Sequence, residues 1–168
     1  MRTQSKYTIM SGVLLSLMVV SSLAIASNRK TYSSWSCNST VPYPGTSYTW
    51  QPKYWYGTIY DDQTTYLRAV NCPVIKDDGL GIVSSSFQAY DRSPTEDFVC
   101  KLAGELMSGD NFWREQVQAT TTGYGSAAQQ VNLGAVPSVY GYYTLQCFIP
   151  RNSGNNYSHF ISYDIQEG

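Results

Sequence analysis

The sequence predicts an all-β fold, an antiparallel β-sandwich that is Ig-like or jelly-roll-like and carries two disulfide bonds. From residue 66 onward, apolar and polar residues alternate with the period of two that is typical of half-buried strands. Turn residues separate these runs, and no helices alternate with them as a parallel α/β sheet would require. The third observation is an even number of cysteines, four, in a chain that begins like an exported protein.

The first 26 residues are predicted to be a secretory signal peptide. Arg2 and Lys6 form a short basic start, and an uncharged run follows from residue 7 to residue 26. The run ends in Ala-Ile-Ala at 24–26, the small-x-small pattern that a signal peptidase accepts. An uncleaved membrane anchor is the alternative, because the run is about long enough to span a bilayer. Serines and a glycine dilute the run, which favours cleavage and a secreted or periplasmic protein.

Composition limits the partners of the mature chain, residues 27–168, which is long enough for one domain. Without the leader, nine basic and twelve acidic residues remain, a net charge near −3. No basic patch is present, so we do not expect a nucleic-acid partner. No second apolar run could span a membrane, so we expect no membrane association after cleavage.

Residues 27–60 are predicted to form an aromatic- and proline-rich N-terminal arm with one strand, near Tyr54 to Tyr60. Pro42, Pro44 and Pro52 argue against a helix or a central strand across this part of the chain. Cys37 would tie the arm down. The arm therefore belongs to a single domain with the β-sandwich core, residues 61–168.

The core supplies the remaining strands, and their alternation predicts which residues face inward. In chain order these are Val70, Cys72 and Val74; Val83, Phe87 and Ala89, with Ser85 between them; Phe98, Cys100 and Leu102; Trp113, Val117 and Ala119; Tyr143, Leu145, Cys147 and Ile149; and Ile161, Tyr163 and Ile165. Turns are predicted at 76–79, 91–94 and 108–111, where Asp, Asn, Gly and Pro cluster. The stretch KLAGELMSG is the main helical candidate, but Gly104 and its short length argue against a helix.

The four cysteines, Cys37, Cys72, Cys100 and Cys147, are predicted to form two disulfides. Zinc is the competing interpretation, but there is no Cys-x-x-Cys pair and only one histidine, so no metal is predicted. Four cysteines allow three connectivities. Cys100 and Cys147 both lie on inward strand faces, which favours that pair and leaves Cys37 for Cys72. Closing the loop between Cys100 and Cys147 contributes roughly 4 kcal/mol in the chain-entropy model.

Several short motifs resemble those of a group of small, uncharacterised exported β-sandwich proteins of Gram-negative bacteria. The matching pieces are the signal peptide, Cys-Pro-Val at 72–74, the lone strand cysteine Cys100, Cys-Phe-Ile-Pro at 147–150 and Ser-Tyr-Asp-Ile at 162–165. The resemblance covers most of the mature chain. It implies a secreted β-sandwich and no known activity, and it assigns no catalytic residue.

Motifs for catalysis are missing from the sequence, so we predict no enzyme and no cofactor. There is no Gly-x-Ser-x-Gly elbow, no His-Glu-x-x-His and no phosphate-binding glycine loop. Nucleophilic catalysis usually needs a histidine, and the single histidine, His159, is interpreted as a solvent-facing or hydrogen-bonded loop residue. A glycan-cleaving enzyme is the alternative, since it needs only two carboxylates. The candidates are Glu96, Glu105, Glu115, Asp91 and Asp110.

The aromatic residues are the strongest functional signal. Tyrosine and tryptophan crowd the end of the arm, and we predict a binding role for Trp50, Tyr54, Trp55 and Tyr56, because flat exposed rings stack on sugars. The alternative is that these rings cover the core, since such residues favour strands. Loop aspartates could also hold calcium, although Asp is an ordinary turn residue. They are Asp61, Asp62, Asp77, Asp78, Asp91 and Asp110.

These observations together predict a non-catalytic, secreted or periplasmic β-sandwich. Its predicted activity is binding to an extracellular or envelope ligand, either a glycan or a protein. A purely structural envelope role is the further alternative, and an exposed aromatic patch would distinguish binding from it.

Overall fold

The computed structural model describes residues 28–39, 53–55, 57–60, 68–77, 80–108, 111–137, 141–151, 154 and 156–168. The predicted signal peptide lies outside these ranges. Within them, no helix is long and apolar enough to cross a membrane.

The described residues contain eleven β-strands and one turn of 3-10 helix at Ser34–Ser36. The strands are β1 (Asn28–Ser33), β2 (Asn38–Ser39), β3 (Lys53–Trp55), β4 (Thr58–Tyr60), β5 (Arg68–Val74), β6 (Ile82–Tyr90), β7 (Val99–Ser108), β8 (Asn111–Thr120), β9 (Gln129–Val136), β10 (Tyr142–Ile149) and β11 (His159–Glu167). The stretch KLAGELMSG, whose Gly104 argued against a helix, lies almost entirely in β7.

These strands form two antiparallel sheets that pack face to face. The six-stranded sheet has the order β3-β4-β11-β6-β9, and β1 also pairs with β11. The five-stranded sheet has the order β2-β5-β10-β7-β8. From β4 to β11 the chain changes sheet at each connection except the β7–β8 hairpin, which is the strand alternation of a jelly roll. The predicted antiparallel β-sandwich is confirmed, in its jelly-roll form.

The core lies between the sheets and consists of the inward residues of both. Tyr143, Leu145, Cys147 and Ile149 of β10 are all buried, as the alternation predicts. Phe98, just before β7, contacts Phe87 and Phe160 of the opposite sheet, with ring centroids 5.8 and 5.7 Å apart. Full burial of such a side chain is worth about 1.5–3 kcal/mol, so this aromatic group helps to hold the sheets together.

Among the predicted inward residues whose side chains the structure describes, Val83 and Ile161 are wrong, and a β-bulge explains each. Val83 is 43% exposed, because β6 shifts register between Ile82 and Ser85 and Ile82 is buried instead. Ile161 is only half-buried, because β11 shifts register after Phe160, which takes the place in the core. A bulge inserts one residue and reverses the in–out alternation beyond it.

The N-terminal arm has more regular structure than the one strand predicted for it. β1 pairs with β11 over six residues, β2 pairs with β5, and β3 and β4 form a hairpin. Gly57, in the turn of that hairpin, has φ +82°, a conformation that favours glycine. The arm therefore adds strands to both sheets. Its segments show little alternation of their own, and β1 and β2 form strands because they pair with β11 and β5. Pro42, Pro44 and Pro52 lie outside the described residues.

Two disulfides are present, and their pairs are Cys37–Cys72 and Cys100–Cys147. These are the pairs that the strand faces favour. Cys100 lies directly opposite Cys147 in neighbouring strands, and Cys37 enters β2 beside Cys72 of β5. Both bonds therefore link neighbouring segments of the five-stranded sheet, and all four cysteines are buried.

Candidate functional site

The outer face of the six-stranded sheet carries a cleft of about 340 Å³. We call it the polar cleft. It is lined by Arg29 of β1, Ser84, Ser85 and Ser86 of β6, Gln130 and Asn132 of β9, and Asp164 and Gln166 of β11. Each of these eight described side chains can donate or accept a hydrogen bond, and none of the eight is apolar.

The cleft follows from the pairing register and from side-chain size. Asp164 of β11 lies opposite Ser86 of β6, which lies opposite Asn132 of β9. Gln166 lies opposite Ser84 in the same way. Because β6 carries short serines between longer side chains on both neighbouring strands, a depression runs along the middle of the sheet.

Asp164 organises the floor of the polar cleft. Its carboxylate accepts hydrogen bonds from Arg29 Nη2 at 2.8 Å, Thr31 Oγ1 at 2.5 Å and Ser86 Oγ at 3.5 Å. Burial raises the pKa of Asp164, but the hydrogen bonds from Thr31 and Arg29 outweigh it, so the pKa is below its usual value. The carboxylate is therefore ionised at neutral pH, and the charge of Arg29 balances it.

Neighbouring polar groups are also held in place. Gln130 Nε2 donates to Ser86 Oγ at 2.7 Å, and Gly134 N donates to Asn132 Oδ1 at 3.0 Å. Ser85, buried at the bulge, donates through Oγ to the carbonyl of Gly134 at 2.8 Å. The bulge thus fixes the position of Asn132, and hydrogen bonds within the protein hold these polar side chains in place.

An aromatic cluster lies at the other end of the same sheet. His159 of β11 pairs in register with Tyr60 of β4 on one side and Tyr90 of β6 on the other. Its ring centroid is 5.4 Å from that of Tyr60 and 6.3 Å from that of Tyr90, and Tyr157 lies 5.1 Å from Tyr60. The cluster provides aromatic rings beyond the polar cleft.

His159 is hydrogen-bonded but not solvent-facing, which corrects one half of its interpretation from sequence. It is 6% exposed, and its Nδ1 lies 3.0 Å from Thr58 Oγ1. Burial lowers the pKa of His159, and the charge of Arg92 lowers it further. The neutral imidazole is therefore favoured at neutral pH, as a packed member of the aromatic cluster.

A second cavity of about 170 Å³ lies beyond the end of β6. We call it the Arg92 pocket. It is lined by Arg92, Tyr124, Gly125, Ser126 and Asn156. The Arg92 guanidinium carbon is 5.7 Å from the centroid of the Tyr90 ring, so the pocket adjoins the aromatic cluster.

Asp91 fastens the two loops that form the Arg92 pocket. Its buried carboxylate accepts from the backbone N–H groups of Ser93 at 3.1 Å and Phe98 at 3.0 Å, and from the hydroxyl of Thr121. Its carbonyl accepts from Gly125 N at 2.8 Å. One aspartate thus joins the segment that carries Arg92 to the loop that carries Tyr124.

The aromatic residues predicted to bind a ligand are mostly beyond what the structure describes. Trp50 and Tyr56 lie outside the described residues, and Tyr54 and Trp55 are described only as backbone in β3. That strand is at the edge of the six-stranded sheet, next to β4 and hence beside the aromatic cluster. The predicted role of these four residues stays a prediction.

The polar cleft itself was missed by sequence reasoning. Residues such as Ser84, Gln130 and Asp164 occupy outward positions, where polar side chains are expected of any half-exposed strand. Only the pairing of four strands brings them together, and no local pattern signals it.

The candidate acids have structural partners where the structure describes them. Glu96 is paired with Arg151, and Glu105 with Arg114 at 3.5 Å. Asp77 is paired with Lys30 at 3.1 Å. In the described ranges, no group of three or more His, Cys, Asp or Glu side chains is arranged to hold a metal ion. The calcium candidates Asp61, Asp62, Asp78 and Asp110 lie outside those ranges.

Comparison with solved structures finds a structural similarity, whereas comparison with families and curated proteins does not. No family model matches the chain, and no curated protein matches it. The chain is similar to the solved structure of a low-affinity xylan-binding module, CBM86, from the xylanolytic gut symbiont Roseburia intestinalis. The TM-score is 0.42 and the identity 14%, over 83% of this chain and 96% of that chain.

Proposed function

We propose that the protein is a non-catalytic binding domain whose ligand is a glycan, held in the polar cleft. The observation that carries this proposal is the lining of the cleft, where four adjacent strands present hydroxyl, amide, guanidinium and carboxylate groups and, among the described residues, no apolar side chain. Sugar hydroxyls both donate and accept hydrogen bonds. A ligand rich in hydroxyls therefore matches this surface better than an apolar one does.

The chemistry of the lining supplies both kinds of partner. Gln130, Asn132 and Gln166 each carry an amide that donates and accepts, while Asp164 only accepts. A sugar hydroxyl that leaves water must recover its hydrogen bonds, or binding loses their free energy. Mixed donors and acceptors at fixed positions meet that requirement.

Charge balance favours a neutral sugar unit in the polar cleft. Among the described residues of the lining, Arg29 and Asp164 are the two charged ones, and they form an ion pair at 2.8 Å. A charged ligand group would have to compete with one member of that pair. A neutral sugar can hydrogen-bond to both members without separating them.

The distribution of acids supports binding rather than cleavage. Glycoside hydrolysis ordinarily uses two carboxylates roughly 5–9.5 Å apart across the scissile bond. Among the described residues that line the polar cleft, Asp164 is the one carboxylate, and Arg29 and Thr31 hold it in place. The glycan-cleaving alternative would need a second acid in this cleft.

The proposed location is outside the cytoplasm. Two buried disulfides suit a protein of an oxidising compartment. With the predicted signal peptide at residues 1–26, this supports a secreted or periplasmic protein. Membership of the exported group that the sequence resembles is proposed on the same grounds.

The test is glycan binding by the purified protein with its disulfides intact, first on an array of bacterial and host glycans and then by titration of the glycans that bind. The variant is Gln130→Ala combined with Asn132→Ala. Loss of a net hydrogen bond costs about 1 kcal/mol, so two lost bonds weaken binding by roughly 30-fold.

The matched control is Gln118→Ala, which removes an exposed amide from β8 on the outer face of the other sheet. Its affinity should equal that of the wild type. Equal weakening in the control and the cleft variant would contradict the proposed site. A blank array would contradict a glycan ligand and favour a protein partner.

A further inference from the structure

We infer that the Arg92 pocket is a second subsite, one that binds the carboxylate of an acidic sugar residue. This inference rests on the proposed glycan-binding function. It adds the class of glycan, because a ligand that occupies both sites must carry at least one carboxylated unit beside neutral ones.

Arg92 differs from the other arginines whose side chains the structure describes. Arg29, Arg114 and Arg151 each form an ion pair with a carboxylate. The guanidinium of Arg92 has no such pair among the described residues, and its Nε is buried without a hydrogen-bond partner there. Because Arg92 lines the pocket and no described carboxylate balances its charge, a ligand that brings an anionic group to this position gains a charge-assisted hydrogen bond.

A carboxylate is the acceptor that fits best. A guanidinium presents its N–H groups in a planar fork that matches the two oxygens of a carboxylate. The adjacent acid, Asp91, does not meet this need, because its carboxylate is buried and accepts from Ser93, Phe98 and Thr121. The positive charge of Arg92 also acts on His159, whose pKa it helps to lower.

The rest of the pocket suits the ring of a sugar. Tyr124 is 68% exposed, so its ring is available for a ligand to pack against. Ser126 contributes a hydroxyl and Asn156 an amide to the lining. An acidic sugar has a matching group for each of these. Its carboxylate would pair with Arg92, its C–H face would pack on the Tyr124 ring, and its hydroxyls would bond to Ser126 and Asn156.

The loop that carries Tyr124 is held before any ligand binds. Gly125 N donates to the carbonyl of Asp91 at 2.8 Å, and Gln129 Nε2 donates to the carbonyl of Gly123 at 2.9 Å. Thr122 N donates to Gln129 Oε1 at 3.0 Å. A preorganised loop loses little conformational entropy on binding, and these bonds hold the backbone on either side of Tyr124.

The polar cleft and the Arg92 pocket lie at successive positions along β6 and the residues that follow it. β6 carries Ser84 and Ser86 in the polar cleft, then Tyr90 in the aromatic cluster, and Arg92 follows directly after the strand. At about 3.4 Å per residue, the backbone from Ser86 to Arg92 spans about 20 Å. An oligosaccharide of several units is therefore needed to reach both sites.

The experiment compares matched pairs of ligands. Oligosaccharides that contain uronic acids are titrated into the protein beside their carboxyl-reduced, neutral forms and beside sulfated oligosaccharides. The wild-type protein should bind at least one uronic-acid oligosaccharide about tenfold more tightly than the carboxyl-reduced form of the same oligosaccharide. A tenfold ratio in Kd corresponds to roughly one charge-assisted hydrogen bond. Arg92→Gln should abolish that difference and leave the affinity for the reduced form unchanged.

Two further variants separate the role of the planar guanidinium from that of positive charge alone. Arg92→Lys retains the charge without the planar fork, and it should keep only part of the preference for the acidic form. Arg114→Gln removes an arginine from the outer face of the other sheet and should leave the preference intact.

The inference is overturned if acidic and reduced forms bind equally, if Arg92→Gln weakens both forms to the same extent, or if sulfated ligands bind and carboxylated ones do not. Failure of the proposed function has a different signature. In that case no glycan of any kind binds, or the Gln130→Ala and Asn132→Ala variant binds them all as well as wild type does.

Discussion

Replacing Asp91 with alanine tests whether one buried carboxylate holds the loops around the Arg92 pocket together. Asp91 is fully buried, and it accepts hydrogen bonds from Ser93 N, Phe98 N and Thr121 Oγ1. Phe98 N has a second acceptor, since it also lies 2.9 Å from Thr121 Oγ1. The alanine variant therefore leaves the Ser93 N–H and the Thr121 hydroxyl without their acceptor, while Phe98 N keeps one.

The expected loss of stability follows from the two hydrogen-bond donors that are left without an acceptor. A hydrogen bond to a charged group contributes about 1.5–3 kcal/mol. Two uncompensated bonds are the main loss, and rearrangement of the loop recovers part of it. The free energy of unfolding should therefore fall by about 3 kcal/mol. For a domain of this size, that corresponds to a decrease in Tm of roughly 10 °C.

The assay is urea denaturation of the oxidised protein, followed by tryptophan fluorescence. The control is Asp97→Ala, which removes an exposed carboxylate from the same loop and should change stability by less than about 0.5 kcal/mol. Asp91→Asn keeps the shape and one acceptor oxygen, so its loss should be intermediate. If Asp91→Ala were no more destabilised than Asp97→Ala, Asp91 would not anchor these loops.

Three further predictions concern pH, the disulfides and the core. Because the folded-state pKa of His159 is below the usual 6.5, the unfolded chain binds its proton more readily. Stability should therefore fall as the pH drops below 6.5 through that folded-state pKa. His159→Gln, which removes the chain's one histidine, should abolish this part of the pH dependence in urea titrations. Replacing Cys100 and Cys147 together by alanine removes a disulfide that joins residues 47 apart in the sequence. The free energy of unfolding, measured by urea denaturation, should fall by about 4 kcal/mol; an unchanged denaturation midpoint would contradict this. Burial raises the pKa of Tyr163 to about 12, so its phenol should ionise after the exposed tyrosines in an ultraviolet titration. Tyr163→Phe should remove that late step and, by losing the bond to the Pro73 carbonyl, cost about 1 kcal/mol; a retained late step would assign it to another tyrosine.

Much of the fold could be predicted from local alternation. In β10, Tyr143, Leu145, Cys147 and Ile149 are all buried, as predicted, because a strand without a bulge keeps its period of two. The same reasoning placed Cys100 on an inward face. The cysteine pairing followed from the faces, since a bond within the core requires both partners to point inward.

Local alternation was misleading where another segment changes the register. Val83 and Ile161 follow the pattern of their neighbours, yet bulges turn them out of the core and bury Ile82 and Phe160 instead. A bulge depends on how two strands pair, and the sequence of one strand does not contain that information.

The sequence alone determined the period of the strands, the residues that face inward in unbulged strands and the presence of two disulfides, because each depends on residue type and short spacing. The tertiary structure decided the strand order, the bulges and both candidate binding sites. Arg29 lies beside Asp164 because β1 pairs with β11, and Arg92 and Tyr124 line one pocket because Asp91 joins their two loops. In both cases the segments are distant in the chain. A side chain of the polar cleft looks like any solvent-facing residue until its neighbours in the sheet are known.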